Sequence, residues 1–178
     1  MPADLERLER DLAEAIRVEL TAHPFDEEIC AAALAYSDFQ YGLPPAVFAC
    51  PTSLRAGLLE QRDSPWFLWQ AAEWMSLARR REVTLPEIGH EYGHPELRAR
   101  CAALEHEIEE GETDPLAQSA ILRPVARRLN TEPLPPRLPR SKDFVIYAWE
   151  VTGGTLEEDL AWSLPPERLE LFMSRGWL

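Results

Sequence analysis

Two histidines and a glutamate lie close enough in the sequence to share one reaction. His90, Glu91 and His94 occupy the first, second and fifth positions of the segment 90–94. In an α-helix, a spacing of four residues puts both imidazoles on the same face. Neutral imidazole is a common metal ligand, and a neighbouring carboxylate can take a proton from a metal-bound water. The spacing is therefore that of a hydrolytic metal site.

The H-E-x-x-H pattern of this segment resembles the signature of the zincin metalloproteases. The resemblance implies that His90 and His94 bind zinc and that Glu91 is the general base. It also implies a third ligand from the acidic residues downstream, which are Glu107, Glu109, Glu110 and Glu112. On this interpretation the protein is a small zinc-dependent hydrolase or peptidase.

The backbone around the motif disfavours that chemistry. Pro95 has no amide hydrogen and restricts the residue before it to extended conformations, which conflicts with a helix through His94. Gly89 and Gly93 each destabilise a helix by about 1 kcal/mol relative to alanine. We therefore expect residues 90–94 to form a loop, a helix to begin at Pro95, and the purified protein to hold no stoichiometric zinc.

Other catalytic patterns are missing from the sequence. It contains no G-x-S-x-G, no P-loop and no G-x-G-x-x-G, and its remaining histidines are His23 and His106. Cys30, Cys50 and Cys101 are odd in number and widely spaced, without a C-x-x-C pair, which is typical of reduced thiols in a core. These observations favour a protein without a catalytic site or a cofactor.

The charge of the chain is acidic and unevenly distributed. The 31 acidic and 18 basic side chains give a formal net charge of −13, which disfavours nucleic acid and anionic membranes as partners. Residues 1–30 carry nine acidic and three basic side chains, and residues 91–120 carry eight and two. Residues 121–150 reverse the sign, with six basic against three acidic side chains. This segregation favours an electrostatic docking surface for a basic protein partner.

The helix predicted from Pro95 to Gly111 is the place where we expect that docking surface. Its outer face carries Glu105, Glu109 and Glu112. Its inner stripe is predicted to consist of apolar residues at helical spacing, namely Leu97, Cys101, Leu104 and Ile108. The prediction is a non-catalytic protein-binding module, and by analogy alone some acidic bacterial domains of this size are adaptor or immunity proteins.

Three apolar runs predict the strands that support these residues. Residues 29–36 and 46–50 indicate an antiparallel hairpin. Residues 144–151 carry β-branched and aromatic side chains on both faces, which predicts a central strand. We therefore expect a small antiparallel sheet of about three strands packed by several helices, an α+β fold.

Helical periodicity and prolines predict the rest of the organisation. Leucine and isoleucine recur three and four residues apart over 3–22, and aromatic residues indicate a further helix over 65–78. Asp114-Pro115 is a helix-start signal, and the four prolines of segment 131–140 predict an extended connector. The length favours one globular domain over residues 1–178.

The last fifth of the chain resembles the ending of an uncharacterised bacterial domain family. The resemblance is carried by the strand at 144–148, by the segment 163–169 with its Pro-Pro-Glu, and by the final residues 175–178. It implies an α+β domain of unassigned activity.

The N-terminal residues contain no cationic start followed by an apolar run. No window of the sequence approaches 18 consecutive apolar residues. We therefore expect a cytoplasmic protein without a membrane segment.

Overall fold

A mixed sheet lies between two layers of helices in the computed structural model, which describes residues 2–37, 41–61, 65–111 and 117–178. Over these ranges the helices are α1 (Pro2–Ala22), α2 (Thr52–Gln61), α3 (Ala71–Arg80), α4 (Pro95–Glu109), α5 (Ala117–Thr131), α6 (Leu156–Ser163) and α7 (Pro166–Ser174). The strands are β1 (Ile29–Ser37), β2 (Tyr41–Pro51), β3 (Glu87–Ile88) and β4 (Arg140–Glu150), and Pro65–Trp69 forms a short 3-10 helix. The predicted helix-rich α+β class is confirmed.

The strand order β3-β2-β1-β4 differs from the predicted sheet. The antiparallel pairing of β1 with β2 confirms the predicted hairpin. Strand β4 instead runs parallel to β1 and lies at the edge, so the expectation of a wholly antiparallel sheet with this strand in its centre is wrong. Apolar residues on both faces of β4 reflect helices on both faces of the sheet, which is typical of parallel strands wherever they lie.

The two faces of the sheet pack against different sets of helices. On one face, Ala32 and Leu34 of β1 share a buried cluster with side chains of α1, α4 and α5. On the other, Ala33 and Ala35 share a cluster with side chains of α2, α3, α6 and α7. Small alanines on both faces of β1 let both helix layers approach the sheet closely.

Helix α1 closes the first face with the predicted stripe. Leu8, Leu12, Ile16 and Leu20 are all buried, whereas Leu5 at the start of the predicted stripe is 41% exposed. Each buried side chain contributes about 1.5–3 kcal/mol by leaving water. The opposite surface of α1 therefore remains free to carry the acidic side chains of the N-terminal block.

The aromatic segment predicted as one helix over 65–78 is divided, and that prediction is wrong. The 3-10 helix ends at Trp69, and Gln70 is extended before α3 begins. The division lets the rings of Trp69 and Trp74 both pack edge-on against Tyr147, with centroid distances of 5.8 and 6.2 Å. The Tyr147 hydroxyl donates to the Trp69 carbonyl at 2.6 Å, so packing on β4 overrides the local helical preference.

The outer edge of β4 is covered by side chains of α5 and α6. Unpaired amides along an edge strand invite pairing with another chain, and natural proteins cover or interrupt them. Three alternate amides of β4 donate to side-chain oxygens: Ile146 to Asn130 Oδ1 at 2.9 Å, Ala148 to Ser163 Oγ at 3.0 Å, and Glu150 to Asp159 Oδ2 at 3.2 Å.

Asp159 is a completely buried carboxylate with four hydrogen-bond donors. Besides the amide of Glu150, it accepts bonds from Tyr36 Oη at 2.8 Å, Thr155 Oγ1 at 3.0 Å and Arg123 Nε at 2.8 Å. A buried charge is tolerated when it is paired and hydrogen-bonded. Asp159 therefore joins α5, α6 and the C-terminal ends of β1 and β4.

Asp143 and Trp177 hold the C-terminal segment on α2. Asp143 accepts hydrogen bonds from Ser141 at 2.6 Å, Arg55 at 3.2 Å and Arg175 at 2.6 Å. The Trp177 ring lies against both guanidiniums, with centroid distances of 4.8 Å to Arg55 and 4.7 Å to Arg175. Burial raises the pKa of Asp143, but the bonds from Ser141 and Arg55 outweigh it and lower the pKa to about 2.

Helix α5 begins at Ala117 and continues through Pro124. The start predicted at Asp114-Pro115 lies outside the described residues. Residues 132–139 connect α5 to β4 without regular structure, as the prolines predicted. Within the described ranges, no helix has the length and apolarity required to cross a membrane.

Candidate functional site

The H-E-x-x-H segment is a loop, and the helix beyond it starts at Pro95 as predicted. Gly93 has φ of +83°, a left-handed conformation that interrupts any helix through the motif. The side chains of His90, Glu91 and His94 are exposed. The helical turn that puts the two imidazoles of a zincin on one face is therefore not formed.

Three residues of this loop make contacts within the fold. His94 is the N-cap of α4, because its Nδ1 accepts from the Leu97 amide at 3.2 Å. Tyr92 is buried, and its hydroxyl donates to the Pro45 carbonyl at 2.8 Å. His90 Nδ1 lies 3.3 Å from the Pro44 carbonyl oxygen. Across the described ranges, no three His, Cys, Asp or Glu side chains are grouped where they could hold one metal ion.

The cysteines occupy the core positions that their spacing predicted. Cys30, Cys50 and Cys101 are free thiols, and all three are buried. Burial raises the pKa of Cys101 to about 12. A thiol with so high a pKa is a poor nucleophile at neutral pH.

A cleft of about 380 Å³ lies between α1 and the loop that precedes α4. Gly93 lies close to α1 there, since a Cβ added to it would lie 3.6 Å from the Cβ of Ala15. The cleft combines acidic side chains with a small apolar surface, and it is lined by Asp11, Glu14, Ala15, Val18, Glu19, Gly93 and His94. We call it the acidic cleft.

The carboxylates of the acidic cleft differ in how far they are neutralised. Asp11 is bonded by Arg100, and Glu14 is bonded by Arg17. Glu19 is half-buried and forms no ion pair with any residue that the structure describes. Beside it, the side chain of Val18 is 53% exposed. The cleft thus presents one unpaired carboxylate next to an exposed apolar side chain.

The three residues predicted to bind a partner lie in different environments. Glu105 is half-buried, and its carboxylate accepts from the Leu43 amide at 3.1 Å and from Gln118 Nε2 at 2.9 Å. Burial raises the pKa of Glu105, and these two hydrogen bonds partly oppose that effect. Glu109 is exposed near the end of α4, whereas Glu112 lies outside the described residues. Of the described pair, Glu109 is the one whose carboxylate faces solvent.

The sequence contained a signal for the inward position of Glu105. Leu97, Cys101 and Glu105 are four residues apart and so lie on one face of α4, and the first two are buried. The cleft residues Glu14 and Glu19 belong to the acidic block at 1–30, but nothing in the sequence indicates that α1 lies next to the loop at 90–94. That juxtaposition is a property of the tertiary fold.

Comparison of the chain with protein-family models, curated proteins and solved structures gives no match. The resemblance of residues 143–178 to a bacterial domain family therefore stays an expectation.

Proposed function

We propose that this protein is a non-catalytic binding module, of the adaptor or immunity kind, that takes a basic segment of a partner protein in the acidic cleft. The observation that carries the proposal is the unpaired carboxylate of Glu19 beside the exposed side chain of Val18. Together they offer an ionic and an apolar contact within one cleft.

The chemistry of the cleft fits a lysine or arginine side chain. Such a side chain has an apolar stem and a charged end, so it can lie along apolar surface while its cation meets a carboxylate. Ala15 and Val18 provide the apolar surface, and Glu19 provides the unpaired carboxylate. Glu14, whose ion pair with Arg17 is on the surface, can be shared with a second cation.

The charge around the cleft supports the same kind of partner. The cleft lies where the acidic block of residues 1–30 meets the beginning of the block at 91–120, because α1 contacts α4. Glu91 and Glu96 are exposed nearby in sequence. Complementary charge of this kind accelerates the encounter with a basic partner and makes binding sensitive to salt.

Fluorescence anisotropy with a fluorescein-labelled peptide of alternating lysine and leucine measures binding to the acidic cleft and so tests the proposal. We expect the intact chain to bind it, and the Glu14→Gln and Glu19→Gln double variant to bind about fivefold to thirtyfold more weakly, which corresponds to about 1–2 kcal/mol. Raising the salt concentration should weaken binding to the intact chain and should have less effect on the variant.

Two single control variants locate the binding surface, and their combination removes as many charges as the double variant of the cleft. Glu60→Gln removes an exposed carboxylate of α2 outside the cleft. Glu109→Gln removes one at the far end of α4, about 20 Å from His94 at about 1.5 Å per residue. Both should bind the peptide as the intact chain does. If Glu109→Gln weakens binding and the double variant does not, the outer face of α4 is the docking surface and the cleft proposal is wrong.

A further inference from the structure

A second cleft, of about 430 Å³, lies where strand β4 begins. It is bordered by the C-terminal end of α5, the connector and the first residues of β4. The strand bulges there, because β4 advances from Arg140 to Val145 while β1 advances only from Ile29 to Ala31. Bulges often lie next to functional sites, where they redirect side chains. The volume falls within the range of small-molecule sites.

Three cationic side chains border this second cleft, which we call the basic cleft. They are Arg140, Lys142 and Arg168. None of the three forms an ion pair with a residue in the described ranges, although the chain has 31 acidic side chains and only 18 basic ones. In a protein of this composition, three unpaired cations in one cleft create a local positive potential that attracts an anion.

The guanidinium of Arg140 has a buried N–H group that lacks a hydrogen-bond acceptor in the part of the chain that the structure describes. Its Nη1 atom is buried and has no hydrogen-bond partner among the described residues. A buried donor without an acceptor destabilises the folded protein, and a bound anion would supply the acceptor. Arg168 is held nearby, since its Nη1 donates to the Lys142 carbonyl at 3.1 Å.

The single carboxylate of the cleft wall does not neutralise these cations. Glu132 is bonded by Arg128 at 2.7 Å and by Arg17, both of which lie outside the cleft lining. Slight burial raises the pKa of Glu132, but the two arginines lower it below its usual value. Glu132 is therefore charged at neutral pH and already compensated.

The neutral polar groups of the basic cleft are also occupied. Asn130 bonds the backbone of Ile146, the Thr131 hydroxyl donates to helix carbonyls, and the Ser141 hydroxyl donates to Asp143. Recognition in this cleft is therefore left to its cations. A ligand matched to them carries several negative charges, which favours a polyanion over a sugar or another neutral polar molecule.

We propose that the basic cleft binds a small phosphorylated ligand through Arg140, Lys142 and Arg168. A phosphate group accepts bidentate hydrogen bonds from arginine and takes lysine as a point charge. A single carboxylate would pair with one of the three cations and leave two unpaired. The proposal is independent of the acidic cleft, because the two clefts share no lining residue.

Isothermal titration calorimetry of the full chain tests this assignment with inorganic phosphate, pyrophosphate and citrate at low salt. We expect pyrophosphate to bind more tightly than inorganic phosphate, because it can contact more of the cations at once, and citrate to bind more weakly than pyrophosphate. Citrate binding as tightly as pyrophosphate would overturn the assignment to phosphate. The absence of heat with every anion would overturn the site.

Two variants with the same change of charge distinguish binding in the basic cleft from general electrostatic attraction to the protein. Lys142→Glu changes an exposed cation of the cleft, and Arg137→Glu changes an exposed cation of the connector that does not line it. We expect Lys142→Glu to weaken pyrophosphate binding about tenfold or more, and Arg137→Glu to weaken it less than about twofold. Because both positions are exposed, both variants should fold. Equal losses in the two variants would refute the proposal.

Discussion

Replacing Asn130 by alanine uncovers part of the edge of β4. The Asn130 amide donates to the Ile146 carbonyl at 2.5 Å and to the Ser163 carbonyl at 3.0 Å, and its oxygen accepts from the Ile146 amide at 2.9 Å. Ile146 itself is completely buried. Asn130→Ala therefore leaves both backbone groups of Ile146 without their partner, while the apolar packing of α5 stays in place.

The expected loss of stability follows from these groups. A buried donor or acceptor that loses its partner costs about 1–3 kcal/mol, and three such groups are affected, the amide and carbonyl of Ile146 and the carbonyl of Ser163. Asn130 borders the basic cleft, so water can reach the vacated position and reduce the penalty. We expect Asn130→Ala to lower the free energy of unfolding by about 2–4 kcal/mol. For a chain of this length, that corresponds to a fall in Tm of about 5–15 °C.

Urea denaturation and calorimetry at pH 7 measure the effect, and Thr131→Ala is the matched control. Thr131 is the next residue of α5, is exposed, and its hydroxyl donates to the Arg127 and Arg128 carbonyls of its own helix. Its removal should change the unfolding free energy by less than about 0.5 kcal/mol. If Asn130→Ala is no more destabilising than Thr131→Ala, the side-chain cover of β4 is not a stabilising element and the reasoning is wrong.

Three further predictions concern other parts of the molecule. The pKa of Asp143 in the folded protein is about 2, below its ordinary value of 3.8, so its contribution to stability is complete above pH 4 and is lost as pH falls through 2. Asp143→Asn should therefore lower the free energy of unfolding by about 2 kcal/mol at pH 7, measured by urea denaturation. The difference between the variant and the intact chain should narrow below pH 4. Gly93→Ala should lower the free energy of unfolding by at least about 1 kcal/mol in the same assay, because the added Cβ would lie 2.8 Å from Leu97 and the backbone has φ of +83°. Gly89→Ala is the control: its added Cβ meets open space, so the change should be near zero. Elemental analysis should find no stoichiometric zinc, and one zinc per chain lost on His90→Ala would restore the hydrolase interpretation.

Local sequence rules were sufficient where one residue controls the backbone. Pro95 sets the start of α4 and the capping role of His94, and Gly93 with its positive φ keeps residues 90–94 out of a helix. The strands β1 and β2 were likewise predicted, because their apolar runs and short separation specify a hairpin.

Features that depend on distant elements were not predictable from the sequence. Whether β4 lies in the centre or at the edge depends on which strands pair beside it, and its own side chains are apolar in either case. The role of Glu105 depends on Leu43 and Gln118, which reach it from β2 and α5. The acidic cleft depends on α1 lying beside the loop, a contact between segments about 80 residues apart, for which short-range patterns carry no information.

The parallel pairing of β1 with β4 also determines when the sheet can be completed during synthesis. Strand β1 ends at Ser37 and β4 begins at Arg140, so the hairpin of β1 and β2 leaves the ribosome long before β4 exists. Contacts of such large sequence separation form slowly, because the chain between them must first be ordered. Until then, the apolar edge of β1 is open to wrong partners. Truncation before residue 140 should therefore yield an aggregating chain, because β4 lies in the last quarter of the sequence.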